Sequence, residues 1–198
     1  MHSYTPYTLY GIMEVMEQVN NAGVVSTTVD EESFWSIDLP SEVKDEKAKQ
    51  AKKIVTQTFE METNYYGAKH VTQALLTLLL KSSSPRVVNV SSKLGQLEIL
   101  SDVDGLTEEV VDEKGWSSNV SGYLVSKAAL NAYTRIFAKK YPSLCANAVS
   151  PGFVATDMSF FKGTSTAEEG ARGPVRLALM PDGGPSGQYF WTTQDSTF

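Results

Sequence analysis

Tyr123 and Lys127 are the two residues whose types and spacing best suit chemistry. Residues four positions apart share one face of a helix, so the phenol and the ammonium can point at one site. A nearby cation favours the phenolate and lowers the pKa of a tyrosine, which brings proton exchange closer to neutral pH. The spacing alone also fits an ordinary helix surface, and Tyr65 with Lys69 repeats it.

The neighbouring elements distinguish the two pairs. The run 86–91 is rich in β-branched residues, which predicts a buried strand, and Ser91 and Ser92 stand at its end. A serine at the carboxyl end of a strand and a Tyr-Lys face on the next helix lie at the edge where open α/β sheets bind ligands. Because no such strand directly precedes Tyr65, we expect the second pair to serve packing.

Two further segments are candidates for the same edge. Asn64 falls inside a predicted helix, where asparagine is a weak helix former unless its side chain has a specific partner. The alternative is that Asn64 lies on the protein surface or caps the end of a helix. The segment 150–156 follows another buried strand, and its turn at Pro151 and Gly152 either brings backbone close to a ligand or simply reverses the chain.

The elements that must position these residues alternate along the chain. Helical patterns are predicted from about residue 41 to the serines 82–84, over 121–141 and over 167–180, the last capped by Thr166. The first is expected to pack through Tyr66, His70, Gln73, Leu76, Leu79 and Leu80. Strands are predicted at 86–91, at 144–149 and, as the final strand, at 188–191. This alternation predicts a parallel α/β sheet with flanking helices.

The remaining stretches are less regular. Residues 19–25 are interpreted as a strand end and turn, and 26–50 as a loop or surface flap. A charged, solvated helix is predicted at 44–53. The region 93–120 is predicted to be irregular apart from a short helix at 106–113.

Composition narrows the class of protein. With 198 residues, of which 41% are hydrophobic and 20% charged, the chain is typical of one globular domain. A formal charge of −6 argues against a nucleic-acid partner, and one cysteine excludes an internal disulfide framework. With two histidines and one cysteine, the chain has few of the side chains that usually bind zinc. No run approaches the ~18 apolar residues of a membrane span, and the first residues do not resemble a signal peptide, so we expect a cytoplasmic protein.

Taken together and in their order along the chain, these motifs resemble the short-chain dehydrogenase/reductase family. The resemblance is strongest to its plant carbonyl-reductase-like branch, which includes neomenthol dehydrogenase, menthone reductase and salutaridine reductase. The resemblance covers roughly residues 19–198, and its motifs are Asn20-Asn21-Ala22-Gly23, Asn64, the strand that ends in Ser91 and Ser92, Tyr123-x-x-x-Lys127, and Pro151-Gly152. It implies a Rossmann-like parallel sheet, NADP(H) as cofactor, a small-molecule carbonyl substrate and a monomer.

The resemblance also implies roles for single residues. Tyr123 would donate a proton to the substrate carbonyl oxygen as hydride arrives from a nicotinamide, and Ser92, rather than Ser91, would polarise that carbonyl. Lys127 would lower the pKa of Tyr123 and, beside it, hold the nicotinamide ribose. Asn64 would keep a water in a proton relay from Lys127. Positions beside the adenosine ribose would be Asn20, Ala22 and Gly23, and the wall around the nicotinamide would be Pro151, Gly152, Val154 and Thr156.

One motif of the family is not found. Its glycine-rich turn, Gly-x-x-x-Gly-x-Gly, places backbone and a helix N-terminus against the pyrophosphate, whereas here Gly11 is followed by no glycine until Gly23. We therefore expect a sheet that lacks its first βαβαβ half, with residues 1–18 as an unrelated leader and 19–198 as the catalytic part. The edge strand would then be exposed.

Two functional hypotheses follow. The chain is either an NADPH-dependent reductase of ketones, or a truncated and catalytically incompetent product, such as a splice form or incomplete gene model, that serves as an interaction module. A third hypothesis is a partner that completes its sheet with a strand of another chain.

Overall fold

The computed structural model of the chain describes residues 17–25, 58–96 and 121–198. Within these residues one sheet contains, in spatial and sequence order, the strands β1 Glu17–Asn20, β2 Arg86–Val90, β3 Cys145–Ser150, β4 Tyr189–Trp191 and β5 Gln194–Ser196. The first four strands are parallel, and β5 is antiparallel to β4. The predicted parallel α/β sheet is confirmed. The charged helix predicted at 44–53 and the short helix at 106–113 lie outside the described residues.

Helices cover both faces of the sheet. They are α1 Ala68–Leu79, which continues a π-helical segment Glu62–Gly67, α2 Ser121–Lys140 and α3 Ala167–Ala178. On one face, Leu79 of α1 and Phe137 of α2 pack against Val87 of β2. On the other face, Leu177 of α3 packs against Val88. Consecutive residues of β2 thus serve opposite cores, which explains why its β-branched run is buried throughout.

Helix α3 begins as predicted. Thr166 Oγ1 accepts a hydrogen bond from the Glu169 backbone amide at 3.2 Å, and Glu169 Oε2 accepts one from the Thr166 amide at 2.9 Å. This reciprocal pair satisfies two amide groups that have no partner within the helix. The helix ends at Ala178, two residues before the predicted end.

The packed face predicted for the first helix is partly wrong. Leu79 is buried, but the structure exposes His70, Gln73 and Leu80. The buried positions are instead Asn64, Ala68, Thr72 and Leu79. Hydrophobic spacing did not identify this face because two of its four members are polar.

One of these polar members, Thr72, belongs to a row of hydrogen-bonded side chains that joins β1 and β2 to the helices. Asn20 Nδ2 donates to Asn89 Oδ1 at 2.7 Å and to Thr72 Oγ1 at 3.1 Å. Asn89 Nδ2 in turn donates to Thr134 Oγ1 of α2 at 2.8 Å. Buried amides are costly unless they are satisfied, so this row, which we call the polar row, fixes how α1 and α2 sit on the sheet.

Two predictions need correction at the edges of the sheet. Strand β1 begins at Glu17, inside the stretch 1–18 that was assigned to a leader. Strand β4 is not the last, because β5 pairs with it through a register in which Trp191 faces Gln194. The sequence Gln194-Asp195-Ser196 has low strand propensity, so only its pairing with β4 makes it a strand.

Replacing Asn89 with alanine should lower the free energy of unfolding by about 1–3 kcal/mol, because the partly buried Asn20 amide loses one of its acceptors and the buried Thr134 hydroxyl loses its donor. Denaturant unfolding followed by circular dichroism measures the change. Gln73→Ala, on the exposed side of α1, is the control and should stay within about 0.5 kcal/mol of the original chain. Equal stability of the Asn89 and Gln73 variants would contradict a stabilising role for the polar row.

Candidate active site

A cavity of about 1010 Å³ opens where the carboxyl ends of β1, β2 and β3 meet, and it continues along β1 and α3. It is bounded by the segments that follow these strands and by the first turns of α2. Of the residues predicted for the site, those that line the cavity are Ala22, Gly23, Ser92, Tyr123, Lys127, Pro151, Gly152, Val154 and Thr156. The structure therefore brings most of the predicted set to one place.

Lys127 is buried in the wall of this cavity, with 3% of its surface exposed. Its Nζ donates to the backbone oxygen of Val90, the last residue of β2, at 2.9 Å. Burial lowers the pKa of Lys127 to about 8. A β-carbon on Gly23 would stand 3.3 Å from this Nζ, and one on Gly95 would stand 2.8 Å from the Lys127 β-carbon. A side chain at Gly95 would therefore clash with the backbone of α2, whereas one at Gly23 would press on the end of the lysine side chain.

Tyr123 lies one helical turn before Lys127 on α2, and the Lys127 Nζ is 5.6 Å from the centre of its ring. Burial raises the pKa of Tyr123, a hydrogen bond with the Ser92 hydroxyl acts in the opposite direction, and the charge of Glu60 adds to the rise. The sequence predicted that Lys127 would lower the pKa of Tyr123. The structure gives the opposite net direction, because loss of solvent outweighs the favourable contacts.

The two neighbouring serines have different partners. Ser92 caps a 3₁₀ turn, Lys93–Gly95, by accepting from the Leu94 amide at 3.2 Å, and its hydroxyl also reaches the Tyr123 phenol. Ser91 Oγ lies 3.5 Å from the backbone oxygen of Lys127. Of the two, Ser92 is therefore the serine whose hydroxyl meets the tyrosine.

The turn that carries Ser92 is held from two sides. Asn131 Nδ2 of α2 donates to the Gly95 oxygen at 2.9 Å. Gln96 Nε2 donates to the backbone oxygen of Thr197 at 2.6 Å, and the Lys93 ammonium lies 5.4 Å above the ring of Trp191. The sequence did not point to these supports, because each joins residues distant along the chain.

Asn64 is fully buried in the π-helical segment, a distortion that is frequent at functional sites. Its Oδ1 accepts from the Val24 amide at 2.7 Å, and its Nδ2 donates to the Val24 oxygen at 3.0 Å and to Ser126 Oγ at 2.9 Å. The side chain therefore has the specific partner that its place in a helix suggested. It does not line the cavity, but it holds the segment beside Gly23.

Two further residues stand apart from the cavity. Asn20, predicted beside the adenosine ribose, is engaged in the polar row, and its neighbour Asn21 lines the cavity instead. Tyr65 also lies elsewhere: it packs edge-on against Tyr133, with ring centres 6.3 Å apart, and the Lys69 ammonium stands 5.5 Å above it. The repeated Tyr-Lys spacing is thus a packing arrangement, as expected.

The loop after β3 forms another part of the cavity wall. Val154 makes a parallel bridge with Ser165, and the Ala155 amide donates to the Ser165 oxygen at 2.8 Å. Thr156 begins a short turn in which its amide donates to Ser159 Oγ at 3.0 Å. These bonds fix the part of the loop that faces the cavity. Phe153 and Met158, which also line it, were not predicted.

The charges of the cavity allow a test of fit for a nicotinamide cofactor. The Lys127 ammonium and Thr156, which both line the cavity, suit a nicotinamide and its ribose. Among the described residues that line the cavity, Lys127 is the sole cation, and Glu17 and Asp157 are acidic. The described walls therefore fit the nicotinamide half and add no second positive charge for a pyrophosphate.

The described ranges also show no group of three or more side chains suited to a metal ion. None of the helices within them combines the length and apolar character needed to cross a bilayer.

Three characterised proteins are similar to this chain over most of its length. Salutaridine reductase of Papaver bracteatum is 40% identical in an alignment of 225 positions that covers 96% of this chain and 72% of that protein. (+)-Neomenthol dehydrogenase of Arabidopsis thaliana is 42% identical with the same coverage. Carbonyl reductase [NADPH] 1 of Rattus norvegicus is 30% identical, over 91% of this chain and 68% of that protein.

The fold comparison agrees. The structure of salutaridine reductase from Papaver somniferum matches with a TM-score of 0.63 at 37% identity, covering 93% of this chain and 76% of that one. No family model matches the sequence. The relatives, the parallel sheet and the residues gathered at its edge lead to one conclusion: the chain belongs to the short-chain dehydrogenase/reductase family, among its plant reductases.

Proposed function

We propose that this chain reduces a ketone to a secondary alcohol, with NADPH as the hydride donor and Tyr123 as the proton donor. The observation that carries the proposal is that Ser92, Tyr123 and Lys127 line the same cavity at the carboxyl ends of the strands. The similar rat protein, whose name states both carbonyl reduction and NADPH, supports the choice of reaction and cofactor.

In this proposal Ser92 and Tyr123, which both line the cavity, act on a single carbonyl oxygen. Two hydroxyl donors at that oxygen would stabilise the negative charge that develops on it as the carbonyl is reduced. NADPH, when bound, supplies the hydride to the carbonyl carbon. Because burial raises the pKa of Tyr123, its phenol is protonated at neutral pH and can give its proton to the oxygen.

Lys127 stabilises the tyrosinate left by that transfer. With a pKa of about 8, its ammonium is mainly charged at neutral pH and lies one turn from the phenol. A proton must then return to Tyr123. We propose that the relay involves Asn64, because Asn64 Oδ1 and Lys127 Nζ both lie next to Gly23.

Other features of the proposal come from the family. We propose a small-molecule ketone as substrate, a monomer as the working form and the cytoplasm as its location. The apolar residues around the reacting groups, Leu94, Phe153 and Met158, are suited to a hydrophobic ketone.

Tyr123→Phe should lower kcat for ketone reduction by at least about a hundredfold, because the ring remains while the donated proton is lost. Consumption of NADPH with a panel of cyclic ketones, followed by absorbance, measures the rate. Tyr65→Phe is the matched control, since it removes the hydroxyl of the other Tyr-Lys pair and should leave the rate unchanged. Full activity of the Tyr123 variant would exclude Tyr123 as the proton donor.

The cavity should bind NADPH little better than it binds reduced nicotinamide mononucleotide, which lacks the adenosine half. Each charge-assisted hydrogen bond to the pyrophosphate would add about 1.5–3 kcal/mol, and the described walls offer no cation for such bonds beyond Lys127. Fluorescence titration of the two nucleotides gives the comparison. If NADPH bound at least a hundredfold more tightly than the mononucleotide (about 2.7 kcal/mol), the chain would be shown to bind the adenosine half as well.

The stability of the chain should depend on pH through Lys127. Its pKa falls from 10.5 to about 8 on folding, so the unfolded chain binds more protons between these values. The free energy of unfolding should therefore rise from pH 8 to 10.5, by about 2–4 kcal/mol in total, and the cost of burying the charge is fully present below pH 8. Denaturant unfolding across this range should show the rise in the original chain and not in Lys127→Met. If the free energies of unfolding of the original chain and of Lys127→Met changed in parallel with pH, the assignment of this dependence to Lys127 would be wrong.

A further inference from the structure

Ser126 is a fully buried serine next to Lys127 on α2, and the proposed chemistry gives it no task. Its Oγ donates to the backbone oxygen of Tyr123 at 2.8 Å and accepts from Asn64 Nδ2 at 2.9 Å. One hydroxyl therefore joins two residues of the candidate site that come from different helical segments.

We propose that Ser126 is a positioning residue: its hydroxyl fixes the first turn of α2, and with it the Tyr123 side chain, relative to Asn64 and the segment at Val24. The proposal rests on the proposed function only for the reaction that Tyr123 performs. The positioning itself is a property of the chain without ligands.

The hydrogen bonds form a continuous path. Both backbone groups of Val24 are bound by the Asn64 amide, the remaining Asn64 bond goes to Ser126 Oγ, and Ser126 binds Tyr123. At the other end of the path, Gly23 lies against Lys127 Nζ and the residues around it line the cavity. A change at the cavity-lining segment is thus passed to the tyrosine through bonds that are all buried or partly buried.

The bond from Ser126 also shapes the helix. A serine that bonds back to a carbonyl one turn earlier within its own helix competes with the main-chain bond of that carbonyl and often bends the helix. Here the affected carbonyl is that of Tyr123 itself. Removing the hydroxyl would relax the turn that carries the phenol and would leave an Asn64 N–H without its acceptor in a buried place.

Helix α2 offers a matched hydroxyl elsewhere. Thr134 Oγ1 donates to the Leu130 oxygen at 2.8 Å and accepts from Asn89 Nδ2 at 2.8 Å. It makes the same two kinds of bond as Ser126, is equally buried, and does not line the cavity. Removing the Thr134 hydroxyl therefore measures the general effect of losing a buried hydroxyl from α2, apart from any effect specific to Ser126.

The experiment compares Ser126→Ala, Ser126→Thr and Thr134→Val in the whole chain without nucleotide. NMR follows hydrogen exchange of the Asn64 side-chain amide, assigned by its loss in Asn64→Asp. With tyrosine labelled in the ring, NMR also follows titration of the Tyr123 phenol, assigned by its loss in Tyr123→Phe. Neither signal requires turnover, so they remain informative if the chain reduces no ketone and the proposed function fails.

In Ser126→Ala we expect Asn64 amide exchange to be about tenfold faster and Tyr123 to titrate closer to an ordinary tyrosine. Ser126→Thr, which keeps the hydroxyl, should restore both signals, and Thr134→Val should leave both unchanged. Where ketone reduction is measurable, Ser126→Ala should lower kcat several-fold and leave KM unchanged.

The proposal is overturned if Ser126→Ala matches Thr134→Val in both signals, or if only Asn64 responds, since Ser126 would then support Asn64 and not Tyr123. Should Ser126→Ala fail to fold, Ser126→Cys keeps a similar volume with a weaker hydrogen-bonding group, and the same two signals decide.

Discussion

The buried ammonium of Lys127 is the constraint around which the site is arranged. A charge removed from water is tolerated only where a polar group meets it, and here the carbonyl that ends β2 does so. The Lys127 ammonium lies next to Gly23, and the helix that carries the lysine packs so closely on Gly95 that a β-carbon there would clash with it. Tyr123 then has its place because it precedes the lysine by one helical turn. A strand end, two loops and a helix are thus arranged around one cation.

Local patterns in the sequence were sufficient to predict this arrangement in outline. The spacing of Tyr123 and Lys127 and the serines after a β-branched run depend on helical and strand periodicity, which short windows reveal. The family resemblance then supplied the role of Ser92. The polar row and the contact of Asn64 with Val24 were not predictable in the same way, because their partners lie up to 69 positions apart. Strand β5 was missed for a related reason, since its pairing and not its composition makes it a strand.

The pKa of Tyr123 differs in direction from the expectation drawn from the sequence. From the sequence, the nearest influence on the phenol is the lysine one turn away, which would lower its pKa. In the folded chain the same packing that brings the lysine near also removes water from the phenol, and the loss of water dominates. A phenol kept protonated is suited to giving a proton, which is the direction that reduction of a carbonyl requires.

The bond between Gln96 and Thr197 has a consequence for how the protein is made. It joins residues 101 positions apart, and one of them follows the serine that meets the tyrosine. During synthesis the strands β1 to β3 emerge well before residue 197, so the sheet can begin to form while the turn after β2 still lacks its support. The strands β1 to β3 can therefore pair before this support forms, and the wall of the candidate site is complete only when residues 101 positions apart have met.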